Sequence, residues 1–305
     1  MFRGMCARWR WVSLPLLVVG CAARQPADRP SSVEGSTVPA WFLGVWKRDW
    51  VQRRGEPPFE NKIVRDLQTP IVYGSVRIPL DRPDLSRARS FADLSDAELD
   101  ALAKQRGGFS GSTSVQGDVA HWRHDIDFQP PMPGREDVGR LVRVSPAVVH
   151  EHALDDSEME AWWSLSTGDG RFLGITVARA GRVEHILSVA GDHFVYARNR
   201  ARDLAPADSL PELIAKTGAD RAAIVGYLDC ELSYGRVRGG RIPWEIVHST
   251  LPWRERQSLD WVKQISVDAT TGELSPRGAQ PSGELWAYPV DTFVAAEASA
   301  MFNAP

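Results

Sequence analysis

Beyond Pro39 the apolar residues of this 305-residue chain mostly alternate with polar ones, and that period of two points to β-strands buried on at least one face. Between Val72 and Ile78, Val72, Val76 and Ile78 share one face while Tyr73, Ser75 and Arg77 share the other. Val183, His185, Leu187 and Val189 form a second row opposite Glu184, Ile186 and Ser188. Turn signals interrupt the pattern at Thr167-Gly168-Asp169-Gly170, Ala180-Gly181, Gly191-Asp192, Arg238-Gly239-Gly240 and Thr271-Gly272. Two hairpins follow from this spacing. Ala161–Ser166 is expected to pair with Phe172–Ala178, and that strand to turn at Ala180-Gly181 into Val183–Val189.

Two short helices interrupt the strands. Ser95 with Glu98 makes a capping box before the stripe Leu99, Leu102 and Ala103, and Gly107-Gly108 ends it. Ser209-Leu210-Pro211-Glu212 opens a second helix, which Gly218 stops. Many short strands and few helices define an all-β class, a barrel or a sandwich.

The N-terminus has a different composition. Arg3, Arg8 and Arg10 precede an apolar run from Trp11 to Val19, too short to span a bilayer, which takes about 20 residues. Such a segment suits a cleavable export signal over residues 1–20. Its ending, Val18-Val19-Gly20-Cys21, resembles the lipobox of bacterial lipoproteins. That resemblance implies cleavage before Cys21 and acylation of its thiol and new amino group, giving a stable membrane anchor. Residues 21–38 are polar and rich in Pro, Ser and Gly, and read as a tether reaching roughly 20–25 Å. The body is then 39–305. In lipoproteins an acidic residue after the cysteine commonly marks inner-membrane retention. Ala22 and Ala23 are not acidic, so the periplasmic face of the outer membrane is the expected location.

Of the three cysteines, Cys6 leaves with the signal and Cys21 carries lipid, so Cys230 has no partner for an intrachain disulfide. It ends an apolar, strand-like run, Ile224–Cys230, and reads as a small buried hydrophobe. The fold must rest on its core.

The first body segment, Pro39-Ala40-Trp41-Phe42-Leu43-Gly44-Val45-Trp46, resembles the first-strand signature of lipocalins. There the tryptophan, here Trp46, closes the barrel floor and the glycine permits close backbone approach. A broader series resembles a group of uncharacterised bacterial lipocalin-like proteins: Leu67–Pro70, Tyr73–Pro79, Trp122–Pro130, Gly191–Phe194 and Ser249–Glu255. That group is distantly similar to a fungal two-barrel protein. The resemblance covers 44–260 and implies a fold without an activity. The body exceeds the roughly 150 residues that eight strands need, which implies one enlarged lipocalin-like barrel or two packed together.

Within such a barrel the row Ala120, Trp122, His124, Ile126 and Phe128 is expected to line the interior, with Trp46 at the closed end. Trp46, Trp122, His124, Ile126 and Phe128 are therefore candidate ligand contacts. His124 is read either as a core histidine, as a polar contact to a ligand or as an axial ligand to haem iron. Arg123, Asp125 and Asp127 make the opposite, charged row. His150 and His152 are two apart on one strand face and are candidate ligands of a metal ion, with His121, His124, Asp125 and Asp127 as possible further donors. The plainer reading of His150 and His152 is a polar sheet face.

Several function classes lack support. The net charge of −3 falls to about −6 without Arg3, Arg8 and Arg10, and no basic block suggests nucleic acid. There is no Gly-x-Ser-x-Gly, P-loop, His-Glu-x-x-His or dinucleotide fingerprint, and no cofactor is expected. Three functions stay open. They are a carrier of a small apolar or amphipathic ligand, a non-catalytic envelope interaction factor, and an enzyme using interior histidine and carboxylates.

Overall fold

The computed structural model describes residues 38–134, 136–238, 242–277, 284–288 (backbone only) and 293–303. Cys21, the signal segment and the tether before Val38 lie outside the described residues.

Eight strands close an antiparallel barrel. They are β1 (Gly44–Arg53), β2 (Lys62–Gln68), β3 (Val72–Pro79), β4 (Gly107–Gln116), β5 (Val119–Asp127), β6 (Asp137–Ser145), β7 (Val148–His152) and β8 (Glu158–Ser166). Each pairs with the next, and β8 returns to β1 from Val45↔Ser166 to Arg53↔Glu158, so the barrel has no free edge. The expected hairpin between Ala161–Ser166 and Phe172–Ala178 does not form. The turn at Thr167–Gly170 instead carries the chain out of the barrel into a second sheet.

That sheet has the order β13-β12-β11-β10-β9-β16. Its strands are β9 (Phe172–Arg179), β10 (Arg182–Ala190), β11 (His193–Arg198), β12 (Glu231–Val237), β13 (Trp244–Ser249) and β16 (Glu284–Tyr288). A small hairpin of β14 (Ile265–Val267) and β15 (Leu274–Pro276) stands apart from it. The hairpin β9–β10 forms as expected, through Ala180 at φ 49° and Gly181 at φ 79°, a left-handed pair that suits a tight two-residue turn. The extra length of the chain is thus neither an enlarged barrel nor a second closed one among the described residues, but an open six-stranded sheet.

The apolar rows of β2 and β3 point outward. Val72, Val76 and Ile78 of β3 and Leu67 of β2 pack in one core with Ile186, Val195, Ala197 and Leu232 of the second sheet. Strands approach closely there: a Cβ on Gly74 would lie 2.4 Å from Val195 Cγ1, and one on Gly174 2.5 Å from Val72 Cγ2. The other face of the second sheet is apolar too. Leu173, Ile175, Leu187, Phe194 and Trp244 pack under Leu259, Val262, Ile265 and Phe302.

The described residues hold four α-helices where the sequence indicated two. In α1 (Asp96–Ala103) Ser95 and Glu98 cap each other as expected, and α2 (Leu210–Thr217) ends at Gly218 with φ 60°. The strand-like run after Ile224 is instead the body of α3 (Arg221–Leu228). The Asp220 carboxylate accepts from Ala223 N at 2.8 Å, a cap that overrides the β character of Ile224 and Val225. Cys230 follows it, fully buried, and burial pushes its thiol up to about 11. The fourth helix, α4 (Ala295–Asn303), covers β14.

Candidate functional site inside the barrel

Because the second sheet takes the apolar faces of β2 and β3, their polar faces turn into the barrel. The interior has two layers. At one end Phe42, Trp46, Val64, Val115, Ala120, Leu141, Val149 and Trp162 form a separate apolar core, against which Trp41 and Trp122 pack. The short turn Ala40–Phe42 covers this end, and Trp46 Nε1 donates to the Phe42 carbonyl at 2.9 Å. Trp46 and Trp122 therefore sit together here, with Trp162 beside them.

Beyond this floor lies a charged layer. Arg48 reaches Glu60 through Nε at 2.8 Å and through Nη2 at 3.0 Å, and also pairs with Glu160. Arg77 donates from Nε to Ser75 Oγ at 3.1 Å, and its guanidinium lies 4.7 Å over the Phe109 ring. His124 stacks on Phe109 at 3.9 Å and holds Asp127 Oδ2 at 2.7 Å with one ring nitrogen and Asp137 Oδ2 at 2.9 Å with the other. Burial alone would lower the His124 pKa, but these two carboxylates outweigh it and raise it to about 9, so the ring is charged at neutral pH.

The expected row on β5 holds only in part. Ser110 faces Ile126 while the next residue, Gly111, faces His124, so Asp125 is an extra residue on this strand. Such a bulge exchanges the faces of everything beyond it. Asp127 turns inward to His124, whereas Ile126 and Phe128 turn outward into the core shared with the second sheet. Neither lines the interior with Trp122. Asp125, left outside, pairs with Arg123 at 3.0 Å.

A cavity of about 10 Å³ separates the two layers, lined by Phe42, Trp46, Asp66, Leu67, Gln68, Tyr73, Trp122, Glu151 and Trp162. That is room for about one water. Trp162 Nε1 donates to Glu151 Oε2 at 3.1 Å, and the Gln68 amide is occupied by Thr69 O at 2.6 Å and Thr113 Oγ1 at 2.8 Å. Asp66 Oδ1 and the Tyr73 hydroxyl are sealed from solvent without a hydrogen-bond partner. Burial raises Asp66 to about 6, against the opposing charge of Arg77 and a hydrogen bond from Ser75. Burial, then the charges of Glu160 and Asp137, hold the Glu151 carboxyl well above the ordinary range. None of Asp66, Tyr73, Arg77, Glu151 or Glu160 was singled out from the sequence as a site residue. The signal was the polar row Tyr73, Ser75, Arg77, which acquires its meaning only once the opposite row is known to be covered.

His150 and His152 lie on the outer wall, their ring centroids 6.3 Å apart, and Trp50 meets His150 edge-on at 5.4 Å. Glu151 between them points inward. The proposed further ligands do not reach them: β6 separates β5 from β7, and His124 and Asp127 are inside the barrel. Among the described residues no group of three or more His, Cys, Asp or Glu side chains is arranged to hold a metal ion.

No family model matches the chain, and no curated protein matches it. Among solved structures it is similar to the crystal structure of an uncharacterized protein of Saccharomyces cerevisiae. The identity is 13% and the TM-score 0.43, over 67% of this chain and 84% of that chain.

Proposed function

We propose that this chain is an exported, lipid-anchored, lipocalin-like protein of the cell envelope that acts through its outer surface and not as a carrier of a bulky apolar ligand. One observation carries this reading: the cavity beside Trp46 and Trp122, where an enclosed ligand was expected, is about 10 Å³, against roughly 300–1,000 Å³ for pockets that enclose small-molecule ligands. The outer wall supplies a complementary surface. Val142 (42% exposed), Val144 (55%), Trp163 (46%) and Leu165 (40%) stand open on β6 and β8, the two neighbours of β7, and exposed large apolar side chains on one wall support an interaction surface. The lipid anchor rests on the arginine-rich start and the Val18–Cys21 ending.

The test is ligand uptake. An environment-sensitive apolar dye and a lipid extract are expected to leave the tryptophan emission of the purified protein unchanged. Saturable uptake of either, lost in Trp122→Asp while the β-sheet circular dichroism persists, overturns the reading in favour of a carrier. For the anchor, Cys21→Ser is expected to abolish metabolic palmitate labelling and leave unprocessed precursor. Labelling that persists in the variant removes the lipoprotein assignment.

A further inference from the structure

The exposed apolar side chains of β6 and β8 are gathered at one end of the barrel. Val142 and Val144 stand near the end of β6, and Trp163 and Leu165 near the end of β8. Both strands run towards the floor: Arg143 pairs with Val149 of the floor core, and Ser164 pairs with Trp46. The register joins the two strands across β7. Trp163 pairs with Val148, and Val148 with Ser145, the residue after Val144, while Val142 pairs with His150. Exposed Arg143 is at the same rim, its guanidinium 5.9 Å from the Trp41 ring. The chain also enters the body here. Val38 is buried in the floor core, and the turn Ala40–Phe42 covers that end. The segment 21–38, read from its composition as a tether reaching roughly 20–25 Å, therefore joins the body at the floor.

We propose that the floor end of the wall made by β6, β7 and β8 lies on a phospholipid bilayer surface, with Val142, Val144, Trp163 and Leu165 in the interface and Arg143 meeting lipid phosphates. This names the partner of the outer surface and rests on the reading of that surface and of the tether given above. A half-exposed indole offers an apolar body and one N–H, the combination enriched where membrane meets water. The apolar neighbours add area to bury, and an arginine adds a charge-assisted contact to phosphate. An acyl anchor and a contact surface close to it reinforce each other, because the tether holds the second at high local concentration over the first's membrane. A protein partner could be met anywhere on the wall. A bilayer reached through a tether at the floor is met first at the floor end, which is where these side chains are.

The experiment places a photo-reactive amino acid at position 165 of the full chain. A second preparation carries it at position 80, where Leu80 is exposed at the opposite end of the barrel, beyond Pro79. Each is mixed with vesicles of phosphatidylethanolamine and phosphatidylglycerol, irradiated and analysed by mass spectrometry. Phospholipid adducts are expected at 165 and not at 80. Trp163→Ser combined with Val144→Asp is expected to lose them while the β-sheet circular dichroism persists. Trp163→Ser alone, expected to reduce them, is the variant to read if the pair fails to fold. The same spectra report acylation of Cys21, so the anchor and the contact fail separately. An unacylated Cys21 removes the lipoprotein assignment, and the adducts at 165 still decide the contact. An acylated chain without adducts at 165, equal adducts at 165 and 80, or adducts that survive both variants overturns the proposal. Cross-links from 165 in cells that go to protein alone, with no lipid adduct on vesicles, also overturn it and keep the outer wall as a protein-binding surface.

Discussion

The barrel and the second sheet treat their histidines in opposite ways. Inside the barrel, His124 sits between two carboxylates and is raised to about 9. On the sheet, His185 hydrogen-bonds Tyr196 and is lowered to about 4 by burial and by the charges of Arg198 and Arg179. His193, against the Tyr234 hydroxyl at 2.7 Å, is also lowered to about 4, by burial first and then by Arg236. The sheet is apolar on both faces and admits histidine as a neutral hydrogen-bonding group. The barrel interior sets a charged layer above its apolar floor, and there it keeps His124 as a cation. One strand pattern, alternating apolar and polar, therefore has two meanings according to what covers the apolar row. The covered barrel becomes a polar container, and the doubly covered sheet a conventional core.

The strongest test of this contrast removes the barrel's main internal cation. Arg48 has a side chain 3% exposed and joins Glu60 and Glu160 across the interior. Arg48→Ala leaves both carboxylates without it and is expected to cost about 3–5 kcal/mol, measured as a lower urea midpoint at unchanged slope. Replacing the charges together, as Arg48→Met with Glu160→Gln, is expected to restore part of that loss, because removing a buried pair is far cheaper than breaking one. A loss below 1 kcal/mol for Arg48→Ala would mean that water reaches this layer and the container is open.

The histidines give a second, smaller test, in which the two regions should respond to pH in opposite directions. The His124 pKa is raised from its ordinary 6.5 to about 9, so its stabilising contribution is complete below about 6.5 and is lost as pH rises through 9. His185 and His193 are lowered from 6.5 to about 4, so their contribution is complete above about 6.5 and is lost as pH falls towards 4. Asp66 adds to the barrel side. Raised from 3.8 to about 6, it contributes most below about 3.8 and loses that contribution as pH rises through 6. Urea unfolding as a function of pH should show His124→Gln flattening the alkaline limb alone and His185→Gln the acidic limb alone. If His124→Gln leaves the alkaline limb unchanged, the ring is not a cation in the folded protein.

Much of this arrangement was legible in the residues, and the failures share a cause. The β class, the caps of α1 and α2 and the β9–β10 turn follow from local chemistry: alternation, Ser–Glu reciprocity, a left-handed turn pair. The place of Trp46 at one end came from the resemblance of its segment to a first-strand signature. What stayed hidden depends on contacts distant in sequence. β8 looks like the first arm of a hairpin with β9 because the two are neighbours along the chain, yet it pairs with β1, more than a hundred residues away. Bulges defeat alternation in the same manner. The extra residue Asp125 moves Ile126 and Phe128 off the face of Trp122. An irregularity between Val183 and His185 moves Val183 to the side of Ile186, away from Leu187 and Val189. No residue type marks either position. The interior acids Asp66 and Glu151 were invisible for a different reason: a polar row reads as solvent-facing until its apolar partner row is found to be covered.

The smallest stability effect is expected where the comparison has a third term, the barrel wall that no sheet covers. On the β8 side of the barrel the outward row carries Trp163, 46% exposed, and Leu165, 40% exposed. Were this wall simply an uncovered continuation of the shared core, truncating Trp163 would cost the several kcal/mol typical of a packed indole. Half its surface is already in water, and its neighbour Trp162 holds the interior position, so Trp163→Ser is expected to shift the unfolding free energy by no more than about 0.5 kcal/mol. The same change should alter what the wall touches. In cells carrying a photo-reactive amino acid at position 165, cross-links to envelope components are expected with Trp163 present and should fall away with Trp163→Ser, while a probe at Asp84 on another exposed surface gives none. A large stability loss would make Trp163 a core residue. Equal cross-linking from both positions would make the wall an inert surface, and the contrast would reduce to the two regions that pack against each other.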